Sequence, residues 1–486
     1  MQLCQMLEGL CPEETRGDTC IEIKGITCDS RRVSEGYVFV CIDGTVSDGH
    51  IFIPEVITKG ACAIVTSKEI PVKLPAEVVF TRFLNTRKAL AGLSAAFFGH
   101  PSRKFHLIGV TGTKGKTTIT YMIKSILEGA GVRTGLIGTI ESLAGPERLT
   151  EAHRTTPEPG ELQETFAKMV EMGMEAVVME VSSQGLELHR VDFCDFDTGI
   201  FTNLTRAHIG DREHNSFEDY FNAKALLFTM CKNNLINIDN EYGRKIAGIT
   251  KGNLFSYGIT SKADYMASDI DKKPDSVEFT LISPVWRNKK IEVNVPGLFT
   301  VYNALAAAAV CAVYGIDVEK IAAGLAKVHV PGRVEKVETG KDFSVIIDYA
   351  YTPDSLRNIL ETVRDYAKGR VICLFGCGGD RDRMMRPMMG EIAGEIADFT
   401  IITSDNPRSE KPEDIIGMIE EGMKKTNGRY VKITSRKEAI KHALTIARGG
   451  DVVLLAGKGH ETYQEFNDHT VDFDERIVVK ELLKEM

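Results

Sequence analysis

A glycine-rich loop between a strand-like run and a helical segment is the feature that most constrains the fold of this chain. Residues 112–118 read GTKGKTT, and the preceding residues 105–110, FHLIGV, have the composition of a buried strand. From Ile119 onward, apolar residues recur at helical spacing until two glycines end the pattern. These features predict a strand, a loop and a helix that form one unit of an α/β domain.

The same loop predicts a phosphate site. Its backbone N–H groups and the helix N-terminus can face phosphates, Lys116 adds a positive charge, and Thr117 offers a hydroxyl to Mg²⁺. The loop departs from the pattern G-x-x-x-x-G-K-[ST] because residue 110 is valine. An ordinary glycine turn is the alternative, and the flanking elements and the Gly-Lys-Thr triplet disfavour it. The predicted ATP-binding residues are Gly112, Thr113, Lys114, Gly115, Lys116, Thr117 and Thr118.

Two further motifs in the central region could bind a metal. The run EAVVMEVSS at 175–183 contains Glu180 at the predicted end of a strand, where P-loop proteins often hold Mg²⁺ through an acid. Alone, a solvated acid is equally compatible; with the glycine loop upstream, metal binding is favoured. The segment AHIGDREH at 207–214 has two histidines and two acids, but its spacing matches no common zinc pattern. Taken alone, it predicts an exposed loop.

The last third of the chain alternates regularly between apolar runs and helical segments. This alternation predicts a mostly parallel, doubly wound sheet. Polar motifs follow four of the runs, at Asp348, GCGGDRDR (376–383), DNPR (405–408) and GKGHE (457–461). Because open α/β sheets bind ligands at the carboxyl ends of their strands, the four motifs predict one binding edge. GCGGDRDR lacks the G-x-G-x-x-G spacing of a dinucleotide site.

Length and composition limit the remaining possibilities. The 486 residues are too many for one ordinary core, and we predict three domains, at 1–100, 101–332 and 333–486. The net charge of -9 disfavours general binding to nucleic acids or anionic membranes. The eleven cysteines form no C-x-x-C pair and are expected to be reduced thiols. Without a signal-like or membrane-length apolar run, the expected location is the cytoplasm, with no stable membrane insertion.

Together, these motifs resemble the Mur ligase family, and within it the UDP-N-acetylmuramyl-tripeptide synthetases. The resemblance runs from DSR at 29–31 to DER at 474–476. Besides the motifs above, its markers are HRTTPEPGEL, MEVSSQGLELHRV, FTNLTRAHI, NAKALLF, VYNALAA, PGRVE, DYAYTPDSL and SDNPR. It implies an α/β protein with an N-terminal UDP-binding domain, a central P-loop-type ATPase domain and a C-terminal Rossmann-like, doubly wound domain. The implied reaction is ATP-dependent and requires Mg²⁺: it adds a third residue to UDP-MurNAc-L-Ala-D-Glu through an acyl phosphate.

The resemblance also implies roles for individual residues. Lys224, in NAKALLF, matches a lysine that the family carbamylates into an anionic metal ligand, although the sequence alone predicts a surface lysine. The implied catalytic residues are Lys116, Glu180, His208 and Lys224, and the implied metal ligands are Thr117, Glu180, His208 and the carbamate of Lys224. The implied nucleotide contacts are Asn303, Arg333 and Asp348. The implied contacts to the UDP-muramyl dipeptide are Ser30, Thr155, Thr156, Ser182 and Arg190.

The incoming amino acid is implied by a third set of residues. They match the branch of the family that uses meso-diaminopimelate, and they are Arg381, Asp405, Asn406, Pro407, Arg408, Gly457 and Glu461. The lysine-using branch typically lacks the arginine of DNPR. A planar guanidinium suits bidentate pairing with the extra carboxylate of diaminopimelate, which lysine does not have. We therefore predict meso-diaminopimelate as the substrate.

Some residues depart from the family pattern and leave alternatives open. They are Ala207, Gln184, Leu188, Thr300 and Tyr351, and none of them removes a predicted phosphate or metal ligand. The alternatives are a ligase that adds L-lysine, a ligase with another acceptor similar to folylpolyglutamate synthetase, and a catalytically silent protein that binds muramyl peptides. The expected partners are small-molecule substrates and no nucleic acid, and the expected state is a monomer.

Overall fold

A computed structural model describes residues 1–44, 47–69, 74–152, 154–205, 214–273 and 275–486. The chain forms two compact units. The first comprises residues 1–265 and 306–321, and the second comprises residues 266–305 and 322–486.

The amino-terminal part of the first unit is built around a small sheet. Its elements are α1 (Leu3–Met6), β1 (Glu14–Arg16), β2 (Gly25–Thr27), β3 (Tyr37–Val40), α2 (Ile53–Thr58), β4 (Ala63–Thr66), β5 (Val79–Arg82) and α3 (Thr86–Phe97). In the described residues the strand order is β1-β5-β4-β3-β2, and only β1 is antiparallel to its neighbour. The apolar runs of β3 and β4 are buried, as their composition predicts. The short helical turn Pro101–Arg103 follows α3, and its Pro101 and Ser102 are buried.

The rest of the first unit carries the glycine loop. Its elements are β6 (His106–Thr111), α4 (Lys116–Gly129), β7 (Thr134–Ile137), β8 (Glu141–Ala144), β9 (Glu147–Glu151), α5 (Pro159–Glu171), β10 (Ala176–Glu180), α6 (Ser183–Glu187), β11 (Phe196–Phe201), α7 (Phe217–Ala225), β12 (Asn233–Asn237), α8 (Glu241–Ala247) and β13 (Asn253–Gly258). Strand β6 lies between β10 and β11, and all three run parallel. The apolar side chains predicted on one face of α4 are buried: Ile119, Met122, Ile123, Ile126 and Leu127. The carboxyl ends of β6, β10 and β11 therefore lie side by side.

Three antiparallel strands and two helices follow β13. They are β14 (Tyr265–Lys272), β15 (Val277–Ile282), β16 (Lys289–Val293), α9 (Leu298–Val313) and α10 (Val318–Ala326). The strands belong to the second unit from residue 266 onward, whereas α9 and α10 each contain residues of both units. The apolar run of residues 304–312 in α9 is buried. Across the described ranges, no helix combines the length and apolarity that crossing a membrane requires.

The remainder of the second unit is a doubly wound domain. Its elements are β17 (Glu335–Val337), β18 (Ser344–Asp348), α11 (Pro353–Tyr366), β19 (Val371–Phe375), α12 (Met385–Ile396), β20 (Phe399–Ile402), α13 (Pro412–Met423), β21 (Tyr430–Lys432), α14 (Arg436–Ile446), β22 (Val452–Ala456), β23 (Tyr463–Glu465), β24 (Thr470–Asp472) and α15 (Glu475–Lys484). The main sheet has the order β17-β18-β22-β19-β20-β21. Strand β17 is antiparallel to β18, and the other five strands run parallel to one another. Apolar clusters cover both of its faces.

This architecture confirms the predicted α/β class with mostly parallel sheets. It also places the four polar motifs of the last third at the carboxyl ends of β18, β19, β20 and β22, which are neighbours in one sheet. The domain boundaries at residues 100 and 332 stay predictions.

Candidate functional site

The glycine loop between β6 and α4 has a backbone that only glycine accommodates. Gly112 has φ +146°, and a Cβ there would lie 1.9 Å from Oγ1 of Thr202. Gly115 has φ +89° and caps the N-terminus of α4. Both φ values lie in the region that side chains disfavour. The loop therefore brings its backbone close to Thr202 while α4 begins directly behind it.

Two residues that follow β11 hold this loop, and the sequence did not point to either. The Thr113 N–H donates to the backbone oxygen of Asn203 over 2.8 Å, and the Lys114 N–H donates to its Oδ1 over 3.0 Å. The Thr202 hydroxyl donates to the Lys114 carbonyl over 2.6 Å. These three bonds hold the loop in this conformation.

Lys116 and Lys224 converge on one carbonyl oxygen. The Nζ atoms lie 3.0 Å and 2.9 Å from the backbone oxygen of Gly112, to which both donate. Lys224 is 2% exposed, so the sequence-based prediction of a surface lysine is wrong. Burial, and then the charge of Lys116, lower the pKa of Lys224 well below its ordinary value. Its Nζ also lies 4.6 Å from the centre of the Tyr220 ring.

Glu180, at the end of β10, is buried rather than solvated. Its Oε1 accepts the Thr117 hydroxyl over 2.9 Å and the Thr139 N–H over 2.8 Å, and Oε2 accepts the Thr139 hydroxyl over 3.1 Å. The alternative of a solvated acid is therefore wrong. A hydroxyl beside a carboxylate is an oxygen donor set that fits Mg²⁺.

The proposed ligand His208 lies outside the described residues, as do Ala207, Asp211 and Glu213. His214 is described, and it is buried rather than part of an exposed loop. Its Nε2 lies 2.8 Å from the Ser183 hydroxyl oxygen, and its ring packs against Tyr220 with the ring centres 5.1 Å apart. His214 therefore joins the start of α6 to the helix that carries Lys224.

Most residues assigned to the UDP-muramyl dipeptide lie near the ends of β10 and α6. The Thr156 hydroxyl accepts the Ser182 N–H over 2.9 Å, and Ser182 caps α6 through the Gly185 N–H. The buried Arg190 donates to the Thr156 carbonyl over 3.2 Å, and the hydroxyl oxygens of Thr155 and Thr139 lie 3.0 Å apart. Thr139 thus links this group to Glu180. Of the departures, Gln184 lies inside α6 and Leu188 follows it, both half-buried.

Ser30 belongs to the short helix Ser30–Arg32 in the amino-terminal part of the unit. It makes no hydrogen bond to Thr155, Thr156, Ser182 or Arg190 within the described ranges. Its carbonyl instead accepts a hydrogen bond from Lys59 over 2.9 Å.

In the second unit, Arg333 and Asp348 lie close together. Burial raises the pKa of the Asp348 carboxyl, and Arg333 and two backbone N–H groups oppose that shift. The Arg333 guanidinium lies 4.5 Å from the centre of the Tyr349 ring. Tyr351, a departure from the family pattern, is exposed beside Tyr349. A flat guanidinium against an aromatic ring and a carboxylate at a strand end suit a purine nucleoside.

Asn303, the third implied nucleotide contact, is buried in α9. Thr300 stands nearby where the family commonly has asparagine, and its hydroxyl donates to the Pro296 carbonyl over 3.1 Å. That bond lies at the start of α9, so the threonine hydroxyl stabilises the first turn of its own helix.

A buried lysine that the sequence did not single out lies at the centre of the amino-acid motifs. Lys458 is 0% exposed, and its Nζ lies 3.0 Å from Oδ1 of Asn406 and 3.0 Å from Oε2 of Glu461. The Asn406 side chain donates to the same Glu461 oxygen over 2.9 Å, and the Tyr349 hydroxyl donates to Oε1 over 3.2 Å. The sequence signal that could have identified Lys458 is its position inside the GKGHE motif. Lys458, Asn406 and Tyr349 therefore hold the carboxylate of Glu461 in one orientation.

The buried ion pair of Arg436 and Glu475 lies beside Asp405. Nη1 of Arg436 lies 3.8 Å from Oδ2 of Asp405, while Nε of Arg436 donates to Glu475 over 2.8 Å. Gly457 has φ +113°, and a Cβ there would lie 2.7 Å from Oδ2 of Asp405. The glycine is therefore needed for the close approach of the two loops.

Arg408 has φ +50°, which is uncommon for a residue with a side chain. Its Nε donates to Oε2 of Glu465 over 2.8 Å, and its Nη1 donates to the Gly379 carbonyl over 2.8 Å. A Cβ on Gly379 would lie 1.8 Å from the Pro407 carbonyl, so the loops 376–383 and 404–408 fit closely together. Arg381 is exposed and makes no hydrogen bond in the part of the chain that the structure describes.

A buried ion pair fastens the same two loops. Arg386 donates through both terminal nitrogens to Glu410, over 2.8 Å and 2.7 Å, and also to the Gly378 carbonyl. Glu410 accepts the Asp380 N–H over 2.8 Å. Hydrogen bonding to Arg386 lowers the pKa of Glu410 to about 2. Arg386 lies in α12 and Glu410 lies just after the second loop, and their bonds to Gly378 and Asp380 tie the pair to the first loop.

We expect this pair to make stability fall with acid. Because the folded pKa of Glu410 is depressed, its contribution is complete above the unfolded pKa near 4.5 and is lost as pH falls toward 2. The difference corresponds to about 3 kcal/mol. Urea unfolding of the wild type and of Glu410→Gln at pH values spanning this window measures it. The variant should show the shallower pH dependence, and the surface variant Glu395→Gln should behave as the wild type. Equal slopes for Glu410→Gln and the wild type would contradict the assignment.

Known proteins resemble the chain over its whole length. Family models match at residues 22–98 (Mur ligase family, catalytic domain), 110–311 (Mur ligase middle domain) and 332–459 (Mur ligase, glutamate ligase domain). A UDP-N-acetylmuramoyl-L-alanyl-D-glutamate--2,6-diaminopimelate ligase of Caldanaerobacter subterraneus subsp. tengcongensis is 46% identical over 100% of this chain and 99% of its own. A ligase of the same name, numbered 1, from Clostridium acetobutylicum is 47% identical over 97% of this chain and 96% of its own. The solved structure of a ligase of that name has a TM-score of 0.71 at 28% sequence identity, and the match covers 100% of this chain and 99% of the other.

Proposed function

The chain belongs to the Mur ligase family, and on that premise we propose that it joins meso-diaminopimelate to UDP-MurNAc-L-Ala-D-Glu by forming an amide bond with ATP. Two full-length relatives above 45% identity carry the name of a 2,6-diaminopimelate ligase. The observation that carries the substrate assignment is Arg408 beside the cluster of Asn406, Lys458 and Glu461, a cation and an oriented carboxylate in one group of loops.

The proposed reaction has two steps. A carboxylate oxygen of the D-glutamyl residue attacks the γ-phosphorus of ATP, the bond to the bridging oxygen breaks, and ADP leaves. The amine of the diamino acid then attacks the carbonyl carbon of the acyl phosphate and loses a proton, and inorganic phosphate leaves. The fixed loop and Lys116 act by placing and neutralising the phosphate oxygens as charge shifts among them.

Mg²⁺ would supply charge neutralisation between the phosphates of ATP. Thr117 and Glu180 offer oxygen ligands, while Lys224 fits a metal only after its amine becomes a carbamate. Burial and the charge of Lys116 lower the pKa of Lys224, which favours the uncharged amine that reacts with CO₂. A carbamate there would also place a negative charge beside Lys116, in place of a second ammonium group.

Other residues would bind the substrates away from the reacting atoms. In the first unit, Thr155, Thr156, Ser182 and Arg190 would hold the UDP-muramyl dipeptide, with Ser30 contacting the uridine end. In the second unit, Asn303, Arg333 and Asp348 would contact the nucleotide. We further propose that the protein is a cytoplasmic monomer.

Arg408 is proposed to pair with the second carboxylate of diaminopimelate, and Glu461 and Asn406 with its distal ammonium group. L-Lysine has the ammonium group without that carboxylate and leaves Arg408 unpaired. The rival functions, a lysine-adding ligase, a ligase for another acceptor and a silent binding protein, each predict a different result with the same substrates.

The test is a substrate panel. Phosphate release should require UDP-MurNAc-L-Ala-D-Glu together with an amino acid, and meso-diaminopimelate should exceed L-lysine in kcat/KM. The Arg408→Ala enzyme should show a KM for meso-diaminopimelate raised about 10- to 100-fold, because a charged hydrogen bond is lost, with kcat largely kept. Arg357→Ala removes a surface arginine and should leave KM unchanged. A wild type that prefers L-lysine would refute the substrate assignment, and nucleotide binding without amide product would favour the silent protein.

A further inference from the structure

The residue that holds Arg408 in place comes from a short hairpin formed by β23 and β24. The Arg408 N–H donates to the Glu465 carbonyl over 3.1 Å, and the Glu465 N–H donates to Oδ1 of Asn406 over 3.1 Å. The Gln464 side chain donates to the Asp405 carbonyl over 2.8 Å. The hairpin therefore runs alongside the DNPR loop and bonds to three of its four residues.

These bonds explain how Arg408 keeps an unfavourable backbone. A left-handed conformation is unfavourable for a residue with a side chain, and it persists where the surroundings determine it. At φ +50°, Arg408 is held on its backbone by the Glu465 carbonyl and on its side chain by the Glu465 carboxylate. One residue thus fixes both ends of the arginine.

The guanidinium itself is held on two sides. Nε donates to Glu465, and Nη1 donates to the Gly379 carbonyl, each over 2.8 Å. Two bonds to different nitrogens define the plane of a rigid guanidinium, and Nη2 has no hydrogen bond within the described ranges. Nη2 is therefore the guanidinium nitrogen that is left to a ligand, and its direction is fixed by the other two bonds.

We propose that Glu465 is a positioning residue that sets the selectivity for a second carboxylate by orienting Arg408. This inference rests on the proposed function. Glu465 accepts a hydrogen bond from Nε and leaves Nη2 open, so it supports carboxylate binding rather than competing with it. The side chains of Arg408 and Glu465 are 24% and 42% exposed, so the pair contributes little to stability and its effect is on substrate selection.

The experiment measures kcat and KM for meso-diaminopimelate and for L-lysine with Glu465→Ala, Glu465→Gln, Arg408→Ala and the double variant Arg408→Ala/Glu465→Ala. Glu465→Ala should raise KM for meso-diaminopimelate about tenfold and leave kcat and the L-lysine parameters unchanged. Glu465→Gln keeps an oxygen acceptor for Nε and should recover most of the loss. The double variant should match Arg408→Ala, because Glu465 acts only through that arginine.

Glu395→Ala is the matched control. It removes another half-exposed carboxylate that pairs with an arginine, Arg357, over 3.0 Å in the same unit. It should change neither KM. A fall in KM for Glu465→Ala would show that Glu465 competes with the ligand, and an equal loss with L-lysine or in the Arg408→Ala background would show a general structural role. Either result overturns the proposal. A wild type that prefers L-lysine would instead refute the proposed function, whatever the effect of Glu465.

Discussion

Replacing Lys116 with alanine is expected to lower kcat by about three orders of magnitude or more, since preorganised charge on the transferred phosphoryl group is among the largest catalytic effects. Lys116 is the first residue of α4, and its Nζ lies over the carbonyl oxygens of Gly112 and Thr113, inside the proposed phosphate loop. The fold should survive, because the loop is also held by Asn203 and Thr202.

The measurement is phosphate release with all three substrates, together with nucleotide binding. The Lys116→Ala enzyme should still bind ATP, because the loop amides and α4 remain, while turnover nearly disappears. Lys124→Ala serves as the control: it removes a lysine of the same helix that pairs with Glu128 over 2.7 Å, away from the loop. Turnover retained within about tenfold in Lys116→Ala would contradict the assignment.

Replacing Lys224 with alanine is expected to have a comparable effect, for a different reason. A neutral amine reacts with CO₂ to form an N–C bond and releases one proton, which yields an anionic carbamate. An ordinary lysine is almost entirely protonated at neutral pH, whereas burial and Lys116 lower the pKa of Lys224. Loss of the residue would remove the anion and leave Lys116 without that neighbour.

Dissolved CO₂ provides the matching measurement. Wild-type activity should fall in CO₂-depleted buffer and return on addition of bicarbonate, and the Lys224→Ala enzyme should respond to neither treatment. Lys232→Ala, which removes an exposed lysine paired with Asp197, should follow the wild type. Wild-type activity that is indifferent to CO₂ would rule out the carbamate and leave Lys224 as a buried amine that supports the loop.

The fold was largely predictable because local patterns specify it. The apolar face of α4 and the runs of β18, β19, β20 and β22 have the periods of the elements they form, and chain order places their polar ends together. Pro412 is the first residue of α13, a position where proline is common. The Mur ligase resemblance added what pattern alone could not, since Lys224 reads as a surface residue until its helix packs against the loop.

Other parts of the candidate site depend on pairings over long distances in sequence. Glu465 ends a three-residue strand and lies 57 residues from Arg408 in the sequence, and no local sequence pattern predicts their contact. Lys458 looks like a loop lysine because its partner Asn406 comes from another strand end. Glu180 was ambiguous until Thr117 and Thr139 were found around it. In each case tertiary contact decides between an exposed charge and a buried one.

The close fit of Gly379 against the Pro407 carbonyl has a consequence for attempts to redesign the substrate range. The loop of residues 376–383, the DNPR loop and the β23–β24 hairpin meet at Arg408, so a change in one must be accepted by the other two. Replacing Arg408 alone should therefore weaken the use of meso-diaminopimelate without creating efficient use of another amino acid. Transfer of all three segments as one cassette from a lysine-adding relative is the more promising route to altered cell-wall chemistry.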